Sequence, residues 1–286
     1  MQMKSNTIPH IHALVAALFT LSQSAFPQSK DDNSPRVALK IDVVSWGEDI
    51  PGLTIKSSGK SSEVKALAFR YSKAVAYSGS NILEISQTPG ATNPEPILSD
   101  ADKEMLKNRP KPAAPAPVVI NPADVPKEIQ QRRKENPTLV ALALIPVDCR
   151  RATILLAPGK AGTFQAYVID DDPSKLPPGK LRIHNYSALP IAMRCNGKEA
   201  RELNTKDSMI VPPEGDQVIY ELAYKKEDAW KIQENNVIPV AATDQAQLIV
   251  LQSDASFFAS SDGSRSGFLQ CVVLRRLPEP LTPATP

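Results

Sequence analysis

Thr138–Ser187 reads TLVALALIPVDCRRATILLAPGKAGTFQAYVIDDDPSKLPPGKLRIHNYS, and this stretch decides the fold class. Its apolar residues fall in short runs broken by turn-forming strings, PGKAG and DDDPSKLPPG, and not in the sustained three-to-four-residue periodicity of a helix. TLVALALIPV is short enough for a strand buried on both faces. In LRIHN the alternation places Leu181 and Ile183 on one face, Arg182 and His184 on the other. Downstream, IAMRCNG, SMIVPP, QVIYELAYK, WKIQENN, AQLIVLQS and FLQCVVLRR continue at a spacing of roughly ten residues, with NGKE, PPEGDQ and SSDGSRSG between them. Strands so spaced predict a mainly β protein, an antiparallel β-sandwich or a barrel-like fold, and 138–277 is expected to be its main β domain.

Upstream, RVALKIDVVSW (Arg36–Trp46), GLTIK, EVKALAFRY and NILEISQ alternate in the same way, so 36–87 is expected to form an N-terminal β block. Three or four strands bury too little apolar surface to stand alone, and the block is expected to pair with the later strands. Between them, residues 88–137 are dense in proline, which donates no N–H to a sheet ladder. This segment reads as an insertion with two short helices. One starts at Ser99, capped with Asp102, and runs to Asn108; the other starts at Asn121 with Pro122 in its first turn and runs through Glu135. KPAAPAPVV (Lys111–Val119) is expected to be an extended spacer.

The ends of the chain concern compartment. Residues 1–28 carry Lys4, the apolar run IHALVAALFTL and then small polar residues, the order of a secretory signal peptide, with cleavage expected between Ala25 and Lys30. The run is too short to span a bilayer core of about 30 Å. No transmembrane segment is therefore expected in the mature chain, and the protein is expected to be exported, periplasmic or extracellular. Residues 29–35 and 278–286 read as a disordered leader and tail.

The 286 residues include 33 Lys and Arg against 31 Asp and Glu, a formal charge of +2. That is too little to build the field a nucleic-acid partner requires. No Gly-rich phosphate loop, CxxC pair or HExxH motif occurs, and no cofactor or metal is assigned. Loss of the leader would remove His10 and His12, leaving His184 as the one histidine of the mature chain.

Leu176–Pro213 joins a Pro-Gly turn, a strand ending in Asn with a following Ser, a strand of small apolar residues, a Gly turn and a Pro-closed strand. Asp228–Asp254 places Trp230 on one strand, then Asn235 and Asn236, then an apolar strand. Together these stretches resemble secreted bacterial β-sandwich proteins of unknown function. The resemblance rests on turns and core positions; it implies fold and compartment and carries over no catalytic residue.

Several residues are candidates for chemistry. Cys195 in IAMRC and Cys271 in FLQCVVL both fall on the core-facing phase of their strands, which makes Cys195–Cys271 the candidate disulfide if the strands bring them within reach, and two inert buried thiols if they do not; Cys149 is left at a polar strand boundary. A nucleophilic thiol, Cys195 or Cys149, activated by His184 is the hydrolase alternative. Trp46 and Trp230 are candidate ligand-stacking residues, which would make the protein a carbohydrate-binding module. Asp170, Asp171 and Asp172 read as a solvated turn, as do Ser260–Gly263, and the pairs Arg150–Arg151 and Arg275–Arg276 read as solvated faces. The leading expectation is a non-enzymatic protein of the cell envelope that works by protein–protein interaction, with another envelope protein as partner.

Overall fold

The computed structural model describes residues 34–92, 125–226, 228–252 and 269–276. Among them the chain is mainly β, and the strands fall into three sheets.

The first sheet contains β1 (Arg36–Ser45), β2 (Ile50–Ser57), β3 (Lys60–Ala68), β4 (Val75–Ser80), β5 (Ile82–Gln87), β6 (Leu139–Leu144), β7 (Arg151–Pro158) and β8 (Phe164–Asp170). Its order is β6-β5-β2-β3-β1-β7-β8, with β4 also paired to β1. The end strands β6 and β8 lie side by side, so the sheet rolls into a nearly closed barrel. The sheet thus draws on both sides of the Pro-rich segment. Prolines mark an interruption in the sequence, whereas the ladder resumes across it where β5 pairs with β6. Inside the barrel, Ile41, Leu53, Leu83, Ile85, Ile154 and Leu156 form one core, as the alternation of their strands requires.

The strands are not all antiparallel, as the sequence reading expected. β1 runs parallel to β7, Lys40–Ser45 against Arg151–Leu156, and its last two residues run parallel to β3. Alternation reports which face a side chain takes and is blind to strand direction. The long connection between β1 and β7 supplies the crossover that a parallel pair needs.

Among the described residues there is one helix, α1 (Lys127–Arg132), where the sequence reading placed two in the insertion. The expected helix at Ser99–Asn108 lies outside the described residues, as do the leader, the spacer at Lys111–Val119 and the tail. The second helix begins later than Asn121 because Pro126 takes the N-cap position, with φ −53° and ψ 133°. A proline at that point of a continuing helix would lack the N–H of a helical bond and would push Val125 out of the α region. Ile129 seats α1 on Leu139 of β6 beside Val125.

The chain then leaves the barrel after β8 and builds a sandwich. β11 (Arg201–Leu203), β10 (Ile191–Cys195), β13 (Gln217–Lys226) and β14 (Ala229–Pro239) form one sheet in that order. The other, in the order β12-β9-β15-β16, comprises β12 (Ser208–Val211), β9 (Lys180–Asn185), β15 (Gln245–Gln252) and β16 (Leu269–Arg276). Leu181, Ile183, Met193, Leu222 and Leu248 pack between them. Gly179 turns the chain into β9 at φ +72°, where a Cβ would sit 3.0 Å from the carbonyl of Ala242. Asn185 ends β9: its amide donates to the carbonyls of Leu189 (2.8 Å) and Leu203 (3.0 Å), and its oxygen accepts from Ser187. The Asn-x-Ser string noted in the sequence is thus a side-chain-built turn.

Candidate functional site

The barrel and the sandwich meet across a joint. Val44 and Trp46 of the β1 end, Leu155 of β7 and Ile169 of β8 pack against Ile249, Leu251 and Leu274 of β15 and β16. This explains why the second half of β1 is buried on both faces while its first half alternates.

A polar cluster is sealed in the same joint, with Arg276 at its centre. Its guanidinium lies 2.8 Å from Asp42 of β1 and 2.9 Å from Asp171 beyond β8, and it stacks over the Tyr71 ring at 4.1 Å. Asp171 also accepts from the Thr153 hydroxyl and from Gln247 Nε2. Gln247 in turn donates to the Tyr71 hydroxyl (3.1 Å), and its Oε1 lies 3.0 Å from His184 Nε2. Arg182 donates to the carbonyls of Asp170 (2.8 Å) and Lys175. Burial pushes the Asp42 carboxyl up against the pull of Arg276 and Arg151. Burial works against the Arg276 charge, but Tyr71, Asp171 and Asp42 hold its pKa above the ordinary value. Burial, helped by the nearby Arg182 charge, depresses His184 to about 3, so the imidazole is neutral throughout the physiological range.

These contacts correct two expectations. Asp171 is sealed in the joint and not in a solvated turn, whereas Asp170 meets Lys175 at 2.6 Å and Asp172 accepts from Ser174. Arg276 is likewise buried, and only its neighbour Arg275 lies toward solvent. Sequence reading missed Arg276, Asp42 and Gln247. For Asp42 and Gln247 the available signal was a polar side chain directly followed by an apolar run, DVV and QLIVL; Arg276, at the end of its strand beside Arg275, carries no such mark.

The proposed hydrolase groups are not brought together. His184 lies on the joint face of β9, whereas Cys195 faces the sandwich core from β10, and Cys149 donates to the Arg151 carbonyl (3.1 Å) at the barrel core. Burial raises Cys149 to about 12, with Asp170 adding to the effect, and raises Cys195 to about 11. A reactive thiolate needs the opposite shift. Cys195 and Cys271 face the same core from opposite sheets, both as free thiols. Cys271 is pushed up by burial and by Glu234, which also accepts from the Tyr220 hydroxyl.

The tryptophans part company. Trp46 is buried in the joint, edge-on to Phe69 with ring centroids 5.5 Å apart, and offers no stacking surface. Trp230 is 43% exposed. Ser260–Gly263 lies outside the described residues. Among the described residues no group of His, Cys, Asp and Glu is placed to hold a metal ion, and no helix is long and apolar enough to cross a membrane. A cleft of about 170 Å³ on the barrel is lined by Thr54, Lys56, Glu84, Ser86, Asn136 and Thr138, but Asn136 bonds Glu84, Ser86 and Thr138 within it.

Trp230 belongs to an open face. In the β13–β14 register, Ile219 opposes Val237, Glu221 opposes Asn235, Ala223 opposes Ile232 and Lys225 opposes Trp230. Cross-strand partners share a face, and Val218, Tyr220 and Leu222 take the core side, so these four pairs point outward. β10 adds Ala192 beside Ala223 and Arg194 beside Glu221, the latter an ion pair at 3.5 Å. Ile219, Trp230, Ile232 and Val237 are all exposed, Ile232 at 68%. A bulge at Gln233 interrupts the ladder, and its amide bonds both backbone groups of Leu269, tying β14 to β16.

In comparison with known proteins, no family model matches the chain and no curated protein matches it.

Proposed function

We propose that this is an exported protein of the cell envelope that works by binding another protein on the outer face of the β13–β14 hairpin. Four exposed apolar side chains on one face carry the reading: Ile219 opposite Val237 and, beyond the polar Glu221–Asn235 pair, Ile232 and Trp230. Singly scattered exposed apolar residues are ordinary, whereas several gathered on one regular face mark an interaction surface. The face lies on the sheet turned away from the joint, so a partner can reach it without disturbing the barrel. The leader-like residues 1–28 support the compartment, as does the resemblance to secreted β-sandwich proteins.

Affinity capture from native envelope, compared between the parent protein and Ile232→Lys, tests the reading. A protein retained by the parent, lost with Ile232→Lys and kept with a control change at exposed Lys206 supports it, provided the variants melt alike. Equal capture by all three contradicts it.

A second reading rests on Trp230 alone, with Lys225 across from it: a stacking platform for a sugar ring. Glycan-array binding abolished by Trp230→Ala would favour this reading over the first.

A further inference from the structure

The outer face of the β13–β14 hairpin ends in an open strand edge. We infer that the partner meets it as a strand, an extended segment of alternating apolar and polar residues that adds to the sheet along β14 through main-chain hydrogen bonds. This rests on the reading of that face as a docking surface.

The pairing with β13 fixes which way the main-chain groups of β14 point. The Val240 N–H donates to the Asp216 carbonyl (2.7 Å), and antiparallel partners exchange bonds at every second pair, so Val218–Ile238, Tyr220–Asn236 and Leu222–Glu234 are the bonded pairs. Asn235 and Val237, which lie between them, turn their N–H and C=O groups away from β13, and Pro239 turns its carbonyl the same way. Past the bulge, the Lys225 N–H donates to the Pro190 carbonyl on the β10 side (3.2 Å), so its β14 partner Trp230 also turns its groups outward. Side chains answer two of these groups: Asn236 Oδ1 accepts from the Val237 N–H (2.8 Å), and Arg275 donates to the Pro239 carbonyl. Both main-chain groups of Trp230 and Asn235, and the Val237 carbonyl, have no partner among the described residues.

Among the described residues no other sheet end offers such an edge. β6 and β8 close on each other, β11 and β12 are 3 and 4 residues long, and β4 is bonded at Ser78 by Ser57 and Ser58. β16 is held at Leu269 by Gln233 and ends in the joint at Arg276. β14 has 11 residues, and Gln233 and Arg275 fasten it to the other sheet at two points, so its edge is held in place as a template. Outward N–H and C=O groups recurring along a strand are matched by the main chain of another strand.

The side chains set which strand fits. Trp230, Ile232 and Val237 lie on the outer phase of β14 and are exposed. Lys231, Glu234 and Asn236 lie on the opposite phase; Glu234 is taken by the Tyr220 hydroxyl, whereas Lys231 is exposed and has no partner among the described residues. The added segment therefore sets apolar side chains beside the first row and polar ones beside the second, with an acidic residue near Lys231.

Amide hydrogen exchange on the full chain, with the end-capped peptide Val-Asp-Val-Thr-Val-Thr-Val as probe, tests the assignment. In the free protein the Trp230 and Asn235 amides should exchange fast and those of Glu234 and Asn236 slowly. Millimolar peptide should protect Trp230 and Asn235. The same peptide methylated at every peptide nitrogen keeps the side chains without the donors and should give no protection. Asn235→Pro removes one outward N–H while sparing the bonded pairs with β13, and should weaken binding about tenfold or more, whereas Asn235→Ala should not. The methylated peptide carries the test on the parent protein, so the result does not depend on how the variants fold. No protection by the unmodified peptide, or equal protection by the methylated one, overturns the assignment. Equal binding with Lys in place of Asp overturns the role of Lys231. If Ile232→Lys loses envelope capture while a folded Asn235→Pro keeps it, strand addition is wrong and the docking face stands.

Discussion

His184 shows how one side chain couples the joint to pH. Its imidazole is depressed to about 3 in the folded state, against an ordinary value near 6.5. Between those values the unfolded chain binds a proton that the folded chain refuses. Stability is therefore complete above about pH 6.5 and falls by about 1.4 kcal/mol for each pH unit below it. Asp42 has the opposite sign: its raised carboxyl takes a proton more readily when folded, so it offsets part of the loss at the lowest pH. Urea midpoints of the parent protein should drop between pH 6 and pH 4, and those of His184→Gln should drop less steeply. Parallel slopes would place the acid sensitivity elsewhere. The alternation in LRIHN already put His184 on the face opposite Ile183. That this face is buried was not legible, because the sheet that covers it comes from residues far away in sequence.

At the scale of elements, the strands were legible because alternating side chains and Gly, Pro and Asp turns state them locally. Within TLVALALIPV, Leu139–Leu144 forms β6, buried on both faces over Leu139–Ala141 and exposed at Leu144, and IAMRC places Ile191, Met193 and Cys195 inward as its Arg194 demanded. Strand direction and partner were not legible, since the β1–β7 and β9–β15 parallel pairs depend on crossovers that leave no local mark. The start of α1 could have been read from Pro126, which outweighs the Asn121–Pro122 start signal nearer the spacer. α1 is held by a small satellite cluster, Val125, Ile129 and Leu139. Ile129→Ala is expected to cost about 2 kcal/mol, at the low end for a buried large-to-small change. Thermal or urea unfolding measures it. A loss below about 0.5 kcal/mol, the range of ordinary surface changes, would mean that α1 does not seat on β6 as described.

For the molecule as a whole, the chain passes once from barrel to sandwich, and its last described strand returns Arg276 to the barrel. Arg276→Met leaves Asp42 and Asp171 buried without their shared cation. The expected loss is about 3 to 5 kcal/mol, the usual consequence of removing one partner of a buried ion pair. Arg276→Lys should rescue only part of it, because a single ammonium cannot reproduce the guanidinium's two contacts and its stacking on Tyr71. With the sandwich fixed in this way, its β11-β10-β13-β14 sheet faces outward and presents Trp230 and Ile232 as one surface. Site-specific photo-crosslinking in native envelope tests that claim most directly, with the reactive side chain placed at Ile232 or, as a control, at Lys206. Discrete protein adducts are expected from position 232 and not from 206. No adduct at 232, or the same adducts from both positions, would contradict the account.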